Sequence, residues 1–170
     1  MDKYSFDEST LTFLGDLIKK SEEIVADYYK MSTSDWSRLR YDIRTLKDLK
    51  KHEVVDESFA QVMKYDARPW GRLLASSMYT IYRVCIQDHY ILKRMKENNL
   101  NRIPFFYYII VHELIHVVRF STYIQKFDAA DNEMMEEEKR VHILTRKILE
   151  KLSIPDKSEV FDFFKKKLSY

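Results

Sequence analysis

Residues 104–120 read PFFYYIIVHELIHVVRF. The stretch is apolar almost throughout, yet its centre carries His112, Glu113 and His116. Burying two imidazoles and a carboxylate is expensive unless they find partners. Residues four apart project from one face of a helix, about one turn apart. His112 and His116 therefore point the same way if the segment is helical. A helix that is apolar all round belongs in the middle of a fold. As a bilayer span it would hold Glu113, both histidines and Arg119 in the lipid, where ionisable groups are costly. No second span exists, so no membrane association is expected.

Working outward, long 3.6-residue patterns dominate. Leu11, Leu14, Leu17, Ile18, Ile24, Val25 and Tyr28 predict one helix. Trp36, Leu39, Ile43 and Leu46 predict a second, opened by the capping cluster Ser32-Thr33-Ser34-Asp35. Phe59, Val62 and Met63 suggest a short third. Arg68-Pro69-Trp70-Gly71 reads as a break. A helix is then expected from Leu73 to Lys96, with Met78, Tyr82, Cys85, His89 and Leu92 on one stripe. The central helix follows, entered near Pro104 and running to about Phe127. Another is expected from Asp128 to about Leu152, with Asp128 as its cap. A short helix after Pro155 carries Val160, Phe161, Phe164 and Leu168. The chain has two glycines and three prolines, and no Asn-Gly, Asp-Gly or Gly-Gly hairpin signal. The expected fold is all-α, a helical bundle around the central apolar helix. It is read as a single domain over 1–170, with N-terminal helices in 1–67 packing on a metal-binding helical core in 72–168.

The following helix supplies partners for the buried histidines. Glu138 and His142 are also four apart. If the two helices form an antiparallel hairpin, the pairs His116/Glu138 and His112/His142 are both centred on Phe127, where the turn is expected. Two facing pairs at one height make a His₃Glu set. Three imidazoles and a carboxylate are what a divalent ion needs. Zinc suits a four-coordinate site; iron, manganese or nickel suit one with water positions left. Glu113 lies one step round the helix, placed to address a bound water. A turn near Leu100-Asn101 brings Asp88 and His89 to the same height, where either could accept a ligand's second N–H. A metal-free buried hydrogen-bond network is the alternative reading of the cluster.

HELIH at 112–116 matches the HExxH signature and resembles the zincin metalloproteins. The resemblance implies zinc ligation by His112 and His116 and a general-base role for Glu113. In the gluzincin branch a downstream glutamate is the third ligand, and Glu138 occupies that place. Zincin peptidases seat substrate along an edge strand, and no strand is expected here. A fourth ligand, His142, would fill the position that catalytic zinc sites leave open. EEEKRVHILTRKILEKL also resembles the Glu-rich, His-bearing helices of ferritin-like di-iron proteins, with Glu113-x-x-His116 as one Glu-x-x-His element.

The remaining signals are bland. Net charge is +2 over 170 residues, which excludes an electrostatic case for nucleic acid. Lys165-Lys166-Lys167 reads as a solvated helix end. The lone Cys85 excludes a disulfide within the chain and a Cys-based zinc ribbon, and a reducing, cytoplasmic location is expected. MDKYSFDESTLTF has no apolar signal-peptide core. The balance of Lys and Glu over Asn and Gln suggests a thermophilic source. Tyr108, Arg119 and Tyr123 lie on roughly the same face and could stabilise an oxyanion or phosphate, but packing with polar tips at the bundle end is the expected reading. Glu113 is read as a general base or as a buried acid paired with Arg119 or Arg140. The expected function is a metal-dependent hydrolase acting on a small molecule or peptide. Alternatives are a structural metal clip serving partner binding and a ferritin-like redox or metal-handling protein. Oligomeric state is left open.

Overall fold

In the computed structural model, residues 4–68, 70–71 and 78–168 are described. The chain runs α1 (Glu8–Tyr28), α2 (Thr33–Ser37), β1 (Tyr41–Arg44), β2 (Ala60–Ala67), β3 (Tyr79–Ile86), α3 (Asp88–Glu97), α4 (Arg102–Ser121), α5 (Asp131–Glu150) and α6 (Lys157–Leu168), with two 3₁₀ turns between β1 and β2. The fold is mixed α and β, and the all-α expectation is overturned by a three-stranded sheet in the order β1-β3-β2. β1 runs parallel to β3, and β2 antiparallel to it.

Each strand replaces an expected helix. Trp36 does lie in a capped helix, with the Ser32 hydroxyl and the Asp35 carboxylate closing a reciprocal box. That helix stops at Ser37, and Tyr41-Asp42-Ile43-Arg44 alternates in the two-residue period of a strand. Val62 and Met63 lie in β2 and Phe59 immediately precedes it, none of them on a helix. Within the stretch expected as a helix from Leu73 to Lys96, residues 72–77 lie outside the described ones. The remainder divides into β3 and α3. β3 reads YTIYRVCI, rich in β-branched and aromatic side chains that fit a pleated surface. Both of its faces are covered, so apolar residues do not alternate along it. The N-terminal region is thus helix plus strands, not helices alone.

The central helix keeps its place. α4 is buried along nearly its whole length, from Pro104 to Phe120. Its length and apolarity would suit a membrane span, but the structure surrounds it with protein. Helices α1, α5 and α6 and strand β2 pack around it. Tyr82, Val84 and Ile86 of β3 turn one sheet face to this helical layer and are buried. α4 ends at Ser121, short of the expected Phe127, and α5 is capped by Ala130, not by Asp128.

The other sheet face carries a polar cluster. Glu53 is fully buried there. It accepts hydrogen bonds from Lys50 N at 2.8 Å, the Tyr65 hydroxyl at 2.7 Å and Arg83 at 3.1 Å. Arg83 also grips Asp42 through two nitrogens, at 2.9 and 3.1 Å. Burial opposes the Glu53 charge, but these donors prevail and hold its pKa at about 2. The sign follows from linkage. A carboxyl with a lowered folded pKa stabilises above its unfolded value near 4.5, and this is lost as pH falls towards 2. The loss is on the order of 3–4 kcal/mol at most. Urea midpoints taken at pH 5 and pH 2.5 should fall more steeply for the native protein than for Glu53→Gln; parallel curves would remove Glu53 as the cause.

Candidate metal centre

The pairing of α4 and α5 brings the three residues of the triad together. A ligand atom each from His112, His116 and Glu138 lies within 4.8 Å of the other two. His116 Nε2 is 3.1 Å from His112 Nε2 and 3.0 Å from Glu138 Oε2. His112 Nε2 is 2.9 Å from Glu138 Oε1. Each Nε2 has one proton or one lone pair, yet each faces two partners. Hydrogen bonds alone leave one of these contacts unmade. A cation at the centre engages all three groups at once. Ligand atoms at tetrahedral corners about 2.0–2.1 Å from zinc stand roughly 3.3 Å apart, close to the observed spacing. The donor set therefore fits a divalent ion.

His142 stands one step behind the triad. Its Nε2 is 3.3 Å from Glu138 Oε1, and its Nδ1 is hydrogen-bonded to the Tyr108 hydroxyl at 2.7 Å. The His112 and His142 rings are 4.3 Å apart, the register that the sequence spacing predicts. Both histidines of α4 are oriented by ring packing: His116 stacks on Phe120 at 5.6 Å and His112 on Tyr108 at 6.3 Å. Their Nδ1 atoms are buried with no partner among the described residues.

Asp88 and His89 are not brought to this centre. Asp88 accepts from Phe6 N at 2.8 Å and Leu46 N at 3.0 Å, fastening the N-terminus and the segment after β1. His89 Nε2 bonds to the Val55 carbonyl at 2.9 Å. α3 carries both residues and turns into α4 near Leu100-Asn101 as expected, but it does not pack along α4. Arg119 pairs with Glu137, which also accepts from Arg140 at 2.9 Å, so it does not reach Glu113. Tyr123 is exposed. Cys85 is buried, and its thiol pKa is pushed up to about 12 by burial and then by Glu53, which leaves it a packing residue.

The electrostatics of the centre are divided. Glu113 is buried and has no hydrogen-bond partner among the described residues; burial, aided by the Glu138 charge, lifts its pKa to about 7 against the pull of His116. A carboxyl poised there is suited to moving a proton near neutrality. Burial lowers His112 to about 4, in part against Glu138. Burial also opposes the His116 charge, but its hydrogen bond to Glu138 and the Glu113 charge leave its pKa raised. Glu138 resists its own burial because the imidazoles of His112, His116 and His142 hold its carboxyl well below the usual range. Its side chain is 46% exposed, so the centre opens to solvent through it.

Two cavities flank the triad. One of about 210 Å³ lies towards Tyr108, His142, Phe164 and Lys167. The other, about 370 Å³, lies towards His116, Phe120, Phe127 and Met134. Both are walled by His112, Glu113 and Glu138 on one side and by Ser58 and Ala60 on the other. The strand wall is a correction, since none was expected. Among the described residues β2 pairs with β3 alone and so forms one edge of the sheet. Gln87 N bonds to Phe59 O, and Ala60 sits opposite Ile86. In an antiparallel ladder this makes Ala60, Val62, Lys64 and Asp66 the residues whose backbone groups face outward. The Ser58 hydroxyl takes the Ala60 carbonyl at 2.7 Å. No other hydrogen bond reaches that edge among the described residues. Lys167, at the end of the expected solvated run, holds its ammonium 4.1 Å above the Phe59 ring beside the first cavity. Phe59, Val62 and Tyr65 are the strand-favouring residues here, a weak local signal for this wall. The chain matches no protein family, no curated protein and no solved structure.

Proposed function

We propose that the protein is a metal-dependent hydrolase acting on an extended, peptide-like substrate. The observation that carries this reading is the convergence of His112, His116 and Glu138 beside the buried Glu113, between two cavities. A divalent ion in the triad supplies Lewis-acid chemistry, acidifying water and polarising a carbonyl. The Glu113 carboxylate accepts the proton of the attacking water and passes it to the leaving group. Tyr108 holds the His142 ring through Nδ1. In the tautomer in which the Tyr108 hydroxyl donates to Nδ1, Nε2 carries the proton and serves as a donor for the charge that develops on the carbonyl oxygen. The outward backbone groups of β2 offer the edge on which an extended chain adds as a further strand. The HExxH match at 112–116 supports the same assignment of roles. We place the protein in the cytoplasm, where the lone thiol of Cys85 stays reduced.

A second reading rests on His142. Its Nε2 stands 3.3 Å from Glu138, close enough to complete a four-ligand shell, and the ion would then clip α4 to α5 without catalysis. The di-iron alternative has less support: Glu137 is committed to Arg119 and Arg140, leaving one carboxylate in the triad.

Elemental analysis of the purified protein tests all of these. About one zinc, or another divalent ion, per chain is expected. Chelation should lower the melting temperature, because a ligand at about 1,000 times its Kd stabilises by roughly 4 kcal/mol. Two ions per chain would favour the di-iron reading. No ion and an unchanged melt would reduce the cluster to a buried polar network.

A further inference from the structure

The wall formed by β2 continues past the metal centre into a second kind of pocket. Ala60, Val62, Lys64 and Asp66 lie on one face of the strand, because successive side chains alternate. Ala60 and Val62 line the cavity beside His116. Lys64 and Asp66 line the next one, of about 400 Å³, within the range of small-ligand sites. Phe120 belongs to both cavities. Its ring stacks on His116 at 5.6 Å and on Tyr82 at 5.9 Å, so a single aromatic side chain separates the metal centre from this pocket.

The second pocket is basic. Arg38, Arg40 and Lys64 line it against one acid, Asp66. Arg40 lies over the Tyr79 ring at 4.4 Å. A guanidinium stacked in this way keeps its in-plane N–H donors free for a carboxylate. Lys64 has no ion-pair partner among the described residues, and the link of Arg38 to Asp35 is a loose 3.8 Å contact between exposed groups. Thr80 and Tyr82, opposite Asp66 and Lys64 in the ladder, add hydroxyls on the same wall.

We propose that this pocket binds a carboxylate, and that it selects substrates carrying one about three residues from the bond that is cut. The selection role rests on the hydrolase reading above; the binding itself does not. The spacing follows from the strand. From the Ala60–Val62 stretch beside the triad to Lys64 is about 7–13 Å at roughly 3.3 Å per residue, and a chain added alongside β2 has the same rise. The carboxylate can belong to an acidic side chain or to the C-terminus of the substrate.

Zinc-loaded, ¹⁵N-labelled protein is titrated with three capped tripeptides while the amides of Lys64 and Thr80 and the Arg40 Nε–H are followed by NMR. The probes are Ac-Ala-Glu-Ala-NH₂, Ac-Ala-Gln-Ala-NH₂ and Ac-Ala-Ala-Ala-OH. At least one carboxylate probe should shift these signals with about tenfold lower Kd than the Gln peptide, the effect of one hydrogen bond to a charged group. Arg40→Ala and Lys64→Ala, both at exposed positions, should remove the difference. Which carboxylate binds better separates a side chain from a C-terminus. Equal response to Glu and Gln probes, with no shift from the free acid, would overturn the proposal. A second arm maps cleavage sites in a mixed peptide digest by mass spectrometry. Acid enrichment about three residues from the cut supports selection, and cuts with no such preference overturn it. Shifts without any cleavage leave the carboxylate site standing and sink the hydrolase reading instead.

Discussion

Glu113→Gln should lower hydrolytic turnover by about 10²–10⁴-fold, the usual contribution of a positioned general base, with the metal content unchanged. The substitution keeps the shape of the side chain and removes its ability to take a proton. Glu113 stands outside the triad of His112, His116 and Glu138, so nothing that holds the ion is lost. It has no hydrogen-bond partner in the fold among the described residues, so no structural contact is broken either. Turnover and metal stoichiometry of the variant, measured together, separate the alternatives. Wild-type turnover would remove Glu113 from the chemistry. Loss of metal would make Glu113 a ligand, as the di-iron arrangement demands.

The second large effect is expected at His116. His116→Ala should weaken metal binding by more than about 100-fold, since even the loss of a group that only orients a ligand costs 10–100-fold. His116 touches both other members of the triad, at 3.1 Å and 3.0 Å, so its loss removes two of the three contacts at the centre. Its removal also leaves the half-buried Glu138 carboxylate with one fewer imidazole partner. Isothermal titration with zinc, alongside melting with and without chelator, reads both consequences. Retained affinity would mean that zinc is held elsewhere and that this cluster is a polar network. His142→Ala is the informative companion. Loss of metal there marks His142 as a fourth ligand and favours the structural clip; retained metal with reduced turnover marks it as a group that acts on the substrate.

The register of α4 on α5 was legible because helix geometry is strict. Two pairs spaced by four residues, centred on one turn, can meet in one way only when both segments are helical. His116 with Glu138 and His112 with His142 meet in that register even though the helices end earlier than their apolar patterns suggest. The same local reasoning failed where a strand is buried on both faces. Met78, Tyr82, Cys85, His89 and Leu92 match a helical stripe, yet Tyr82 and Cys85 belong to β3, and His89 and Leu92 to α3. A continuous apolar run has no period to separate strand from helix. The β-branched content of YTIYRVCI was the discriminating cue. Asp88 and His89 do stand on a helix that turns into α4 near Leu100, but α3 does not pack along α4, so neither residue reaches the centre.

By itself, the sequence determined the buried central helix, the spacing of its histidines and the identity of the groups opposite them. These are local properties: a 3.6-residue period, a turn and an adjacent helix. Only the tertiary structure decided that an edge strand walls the centre, that His142 is tied back to Tyr108 and that Arg119 is committed to Glu137. Strand pairing joins residues far apart in the chain, and the choice among partners for a buried charge depends on which one lies nearest in space. Neither is written in the spacing of nearby residues.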